Sequence, residues 1–176
     1  NGSCASRTGR TGIGMSELAS EQAEVTAEDV AAQVGRAFPG GRFTVERWFA
    51  WLLADAALEQ PHAAVPDGAG EELAHPLLAW TAATQAMGVT WDELFAWFGS
   101  SADDGPMFGE HETVWHAPMR VGHTYLVSGE ITSADRKSGR SGVFDVIGDG
   151  FRLHDAGSGT HVAECWNSLI LPRRSS

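Results

Sequence analysis

Residues 109–125, Gly-Glu-His-Glu-Thr-Val-Trp-His-Ala-Pro-Met-Arg-Val-Gly-His-Thr-Tyr, mark the point where the chain stops reading as helices and starts reading as strands. His111 to His116 carries β-formers in alternation, Pro118 to Gly122 is a turn cluster, and a second strand opens at Thr124. The same character continues through Thr124 to Ser133, Ser141 to Leu153 and Val162 to Leu171, with turns expected at Asp135 to Gly139 and Asp155 to Gly159. An antiparallel meander of this kind buries one face and needs a hydrophobic cover.

The cover lies upstream. Thr26 precedes the acidic pair Glu28 and Asp29, which suits a helix start, and this first helix is expected to run from about Ala27 to Ala37 and stop at Phe38-Pro39-Gly40-Gly41. A second helix is expected to open at Thr44, with Val45, Trp48, Phe49, Leu52, Leu53 and Ala56 as its apolar face, and to end before Pro61. After a Pro, Gly and acid-rich loop at 61–74, His75 to Met87 reads as a helix that is apolar nearly all round, hence buried. Thr90-Trp-Asp-Glu93 is a capping box for a short helix ending near Phe98. Helices first and a meander second predict an α+β architecture in a single domain spanning 15–176. Residues 1–14 have no apolar centre, and Met15 reads as a natural start, so 1–14 are expected to be an added leader outside the fold.

The 176 residues carry a formal net charge of −11, which argues against nucleic-acid and anionic-membrane partners because both require a positive surface. No apolar run approaches the roughly 20 residues of a membrane-spanning helix. Two cysteines, Cys4 and Cys165, make neither a disulfide framework nor a metal set, so a reducing, cytoplasmic compartment is the simpler expectation.

The 109–125 segment resembles the MaoC-like acyl-thioester dehydratases, whose pattern there is a strand followed by a Pro-x-Arg-x-Gly-Asp/His turn, matched by Pro118 to His123. Gly159-Thr-His-Val-Ala-Glu164 resembles the family's lead into its last strand, and Ala74-His75-Pro76 resembles the turn that opens its central helix. The resemblance covers about residues 43–172. It implies a hot-dog fold, a bent antiparallel sheet wrapped around a hydrophobic helix, with two such units side by side and the acyl chain between them. The physical motive for pairing is the exposed edge strand that an open sheet leaves.

The resemblance also implies a chemistry. Family hydratases carry Asp-x-Asn-Pro-x-His, a base to activate water and an acid to protonate the α-carbon of an enoyl thioester. Here the region reads Asp55-Ala-Ala-Leu-Glu-Gln-Pro-His62. Aligning Pro61 puts Leu58 at the Asp position and Ala63 at the His position, and aligning His62 puts Ala57 at the Asp position. The expectation is therefore a hydratase subunit whose Asp and His are supplied by a partner hot-dog chain, in a homo- or heterodimer. Three alternatives stay open: a self-sufficient hydratase using His62 with Asp55 or Glu59, a thioesterase using Asp55 or Glu59, and a non-catalytic acyl-CoA-binding module. His75, Trp80 and Arg120 are the candidate substrate contacts, through amides beside a helix start, an acyl-lining ring and a phosphate contact. Trp48, Trp51, Trp80, Trp91, Trp97 and Phe98 read first as core. Arg136, Lys137 and Arg140 read as a solvated hairpin that can meet coenzyme A phosphates. His111, His116 and His123, at spacings of five and seven, do not make a zinc set. No metal or cofactor is expected beyond the coenzyme A of the substrate. The helical insertion 63–108 suggests a roomy acyl group, such as a steroid side-chain thioester.

Overall fold

A computed structural model describes residues 25–58, 71–140 and 142–173. The strands are β1 (Gly41–Thr44), β2 (Met107–Trp115), β3 (Thr124–Gly139), β4 (Gly142–Asp155) and β5 (His161–Arg173). They form one antiparallel sheet in the order β1-β3-β4-β5-β2. The helices are α1 (Ala27–Ala31), α2 (Arg47–Ala56), α3 (Leu78–Gln85) and α4 (Trp91–Trp97). Helix α3 lies against β3, β4 and β5. Its Leu78, Ala79, Ala82 and Ala83 are buried, and the small alanines let the helix approach the sheet closely.

Both sequence-expected helix caps are in place. The Thr26 hydroxyl accepts from the Asp29 N–H at 3.1 Å and the Asp29 carboxylate accepts from the Thr26 N–H at 2.9 Å. Thr90 and Glu93 repeat the box at the start of α4. Helix α1 is shorter than expected because the sheet captures the residues after it. The Gly35 N–H donates to Ile131 O at 2.8 Å and the Phe38 N–H to Gly129 O at 2.9 Å. Phe38 then packs on Phe151, whose ring occupies the space that a Cβ on Gly129 would fill.

Two other expectations are corrected. Thr44 ends a strand rather than opening a helix: Phe43 pairs with Tyr125 and both are buried, so Gly41 to Thr44 gains more as an edge strand. Gly41 also sits where a Cβ would be 3.0 Å from Ala86 O, a close approach to the end of α3. Asp135 to Gly139 continues β3 rather than turning, with Gly139 opposite Gly142. Arg136 explains this. Its Nε donates to Asp145 Oδ1 at 2.8 Å and its Nη1 to Val25 O at 2.9 Å, so it is a structural clamp rather than part of a solvated tip. Arg173 donates to the same fully buried carboxylate, Nε to Oδ2 at 2.6 Å, and reaches Phe98 O.

Removing one partner of a buried ion network leaves uncompensated charge, so Asp145→Ala is expected to cost about 3–5 kcal/mol of stability, read as a lower urea midpoint at unchanged slope. A loss under about 1 kcal/mol would mean that the clamp carries little.

Candidate functional site

Of the sequence-expected catalytic residues, Asp55 lies exposed in the last turn of α2, while Glu59 and His62 lie outside the described residues. The tryptophans divide. Phe98 is buried and Trp80, Trp91 and Trp97 are half-buried, but Trp48 and Trp51 are 63% and 49% exposed. The expected apolar face around α2 is split in the same way: Val45 is core and Phe49 and Leu53 pack against it, while Trp48 and Leu52 are exposed.

His75 sits before α3, and its Nδ1 accepts from the Leu77 N–H at 3.1 Å. Pro76 has no N–H, Leu78 donates to His75 O and Ala79 to Pro76 O. The amides expected to meet a thioester oxygen are thus engaged within the turn itself.

Trp80 faces β2. Its ring lies 5.8 Å edge-on from Phe108 and 6.3 Å from His111, and Trp91 also meets Phe108, at 5.5 Å. Every residue of β2 except Thr113 is exposed, including Met107, Phe108, Val114 and Trp115. The result is an aromatic seam between α3 and the edge strand, with the outer backbone of β2, unpaired among the described residues, along its rim.

A polar chain that sequence reasoning missed runs from the core into this seam. His111, Asn167 and Asp149 are direct cross-strand neighbours on β2, β5 and β4. Asn167 Nδ2 donates to Asp149 Oδ1 at 2.6 Å, which leaves Asn167 Oδ1 to accept from His111 Nδ1 at 2.7 Å. His111 Nε2 shares a hydrogen bond with the Thr113 hydroxyl at 2.7 Å. The bond to Asn167 Oδ1 places a proton on His111 Nδ1 and turns the ring so that Nε2 faces Thr113. Burial pushes the Asp149 carboxyl up to about 6, against the lowering effect of the Asn167 bond. Asn167 cannot relay a proton, so Asp149 orients His111 through it. The readable signal was a lone Asp between glycines in a strand, Gly148-Asp149-Gly150, but its partners depend on strand register.

Arg120 belongs to a different place, an open cleft of about 750 Å³ lined also by Arg42, His123, Tyr125, Asp155 and Ser158. It is ion-paired with Glu71, and its backbone N–H donates to the buried Tyr125 hydroxyl at 2.7 Å. His123 Nδ1 lies 2.7 Å from Asp155 Oδ2, and this bond, with the Ser158 and Gly157 amides, holds the Asp155 carboxyl down at about 2. Trp80 and Arg120 are therefore not brought together, and Arg120 is already paired.

Between pH 3.8 and about 6 the folded chain keeps a proton on Asp149 that the unfolded chain has lost. This group's contribution to stability therefore falls as pH rises through that window and is constant above it. Asp149→Asn is expected to stabilise the chain at pH 7.5 by up to about 3 kcal/mol and to leave it unchanged near pH 3.5, as measured by urea unfolding at both pH values. An equal effect at the two pH values would contradict the assignment.

No protein-family model and no curated protein matches this chain. Solved structures do. A MaoC-like dehydratase from Rhodospirillum rubrum superposes with a TM-score of 0.54 at 17% identity, over 85% of this chain and 97% of that one. The HadBC (3R-hydroxyacyl-ACP dehydratase) complex from Mycobacterium tuberculosis gives 0.57 at 19%, over 76% and 92%. The ChsH1-ChsH2 complex from the same organism gives 0.60 at 16%, over 85% and 90%. The sheet order, the helix it wraps and these superpositions agree: the chain has the hot-dog fold of the MaoC-like dehydratases.

Proposed function

We propose that this chain is the pocket-forming subunit of an enoyl-thioester hydratase, acting in the reversible addition of water to a trans-2-enoyl-CoA. A second hot-dog chain supplies the Asp and His. The carrying observation is the open seam between α3 and β2, where an aromatic wall meets a strand edge that is unpaired among the described residues. The broken register at 55–63 supports the same division of labour, since neither alignment of Pro61 or His62 gives an Asp and a His five residues apart. The complexes among its structural neighbours, HadBC and ChsH1-ChsH2, make a paired hot-dog arrangement a natural precedent.

In this reading β2 pairs with the partner across its free edge, and the acyl chain lies against Trp80, Phe108 and Trp91. The partner's base takes a proton from water as the oxygen adds to the β-carbon, and its acid delivers a proton to the α-carbon. His111, oriented by Asn167, lines the polar end of the same wall. Polarising the thioester oxygen from the start of α3 requires the His75 ring to release the Leu77 amide, so the His75 role is conditional on that movement. The 63–108 segment, which contributes Trp80 and Trp91, suits a bulky acyl group, a steroid side-chain thioester being one example.

The purified chain is expected to be inactive on crotonyl-CoA and bulkier enoyl-CoA thioesters, and to become active when mixed with a hot-dog chain carrying an intact Asp-x-Asn-Pro-x-His. Activity of the chain alone, abolished by His62→Ala, would overturn the partner model. Release of free coenzyme A would point to a thioesterase instead. In the active complex, Trp80→Ala is expected to raise KM about tenfold while kcat changes by less than about twofold, because the ring contributes uniform binding.

A further inference from the structure

Three strands bring histidines into a row on the outer face of the sheet, the side away from α3. His154 on β4 is the direct partner of His161 on β5, with ring centroids 4.7 Å apart at 19°. His116, just past the end of β2, places its ring 4.4 Å from that of His161. The β2 ladder closes here, with the N–H groups of His116 and Ala117 both donating to Val162 O at 2.8 and 3.1 Å.

Residues three apart on a regular strand point to opposite faces. The pairing of β4 with β5 shifts register between Leu153 and His154, which makes Val162 the extra residue of a bulge. The bulge turns His161 and Glu164 to the same side, a re-aiming of side chains that bulges commonly provide. Glu164 Oε1 lies 3.6 Å from His161 Nε2 and 3.9 Å from His116 Nε2, both too long for a hydrogen bond. His161 Nε2 is fully buried and has no hydrogen-bond partner among the described residues. Buried polar atoms left in this condition are uncommon, and an ion is one of the few things that satisfies them.

The three donor atoms lie within 4.8 Å of one another. Zinc held tetrahedrally by nitrogen and oxygen at about 2.0–2.2 Å separates its ligands by about 3.3 Å, so small side-chain rotations close the set. Two imidazoles and a carboxylate favour zinc, nickel or cobalt over magnesium or calcium. We propose that His116, His161 and Glu164 form a divalent transition-metal site of the zinc class, with His154 stacked against His161 to hold its ring. Three protein ligands leave a fourth position for water or an external donor. Because His116 ends the edge strand and the other two ligands lie on β5, the ion ties the end of β2 to the sheet. The site is on the opposite face from the seam and does not depend on the proposed hydratase role. The spacing of His111, His116 and His123 could not disclose it, since His116 finds its partners on the last strand.

The test is titration of the chelator-treated full chain with Zn²⁺ by calorimetry, with histidine-ring NMR and thermal melting as parallel readouts. One equivalent is expected to bind, shift the ring signals of His116 and His161 while leaving those of His75 in place, and raise Tm. His161→Ala and His116→Ala are expected to weaken binding at least about 100-fold. The ring signals of the unmutated chain decide the matter even if a variant folds poorly. Absence of saturable binding, shifts spread over all histidines, or an equal response to Mg²⁺ would each overturn the proposal.

Discussion

The constraint on which the rest of this molecule depends is the mismatch between one short helix and a wide sheet. Helix α3 is eight residues long, about 12 Å, while β3 runs for sixteen residues, about 53 Å if straight. Its alanine face seats it closely on β3, β4 and β5, and the sheet bends to meet it. The helix cannot also cover β2, which it reaches through the Trp80 ring. Packing therefore completes the core at one side of the sheet and leaves it open at the other, and the open side is where the aromatic wall and the polar chain from Asp149 arrive.

The same mismatch orders the electrostatics. Away from the seam, buried carboxylates are fully compensated: Asp145 is clamped by two guanidinium groups, and Asp155 receives His123 and the amides of its own turn. Asp149 is the contrast, since one Asn167 amide is its hydrogen-bond donor and burial raises its pKa. Above about pH 6 a carboxylate left in that state costs stability, and through Asn167 it sets the direction of the His111 ring at the rim. Perturbed groups of this kind gather where a fold uses them.

Much of the framework was legible because local chemistry dictates it. Thr26 with Asp29 and Thr90 with Glu93 cap helices through bonds spanning three residues, and alternation marked all four long strands. The features that escaped depended on contacts distant in sequence. β1 is four residues long, and it is a strand because Phe43 finds Tyr125. Asp135 to Gly139 has turn composition, yet Arg136 is drawn into the ladder by Asp145. The chain from Asp149 to His111 and the row of His116, His161 and His154 are products of register, and one bulged residue at Val162 decides the second. The dyad region is the reverse case: its mismatch with the family pattern is plain in residues 55–63, but no local rule says which chain makes good the loss.

The central claim is that the free edge of β2 is an incomplete surface that a second hot-dog unit covers. Amide hydrogen exchange along Met107 to Trp115 tests it most directly, compared between the isolated chain and the chain mixed with a hot-dog partner bearing the intact dyad motif. The predicted result is rapid exchange at the outward-facing amides of β2 in the isolated chain and strong protection of those amides on assembly. A complex that forms while exchange along β2 stays unchanged would contradict it.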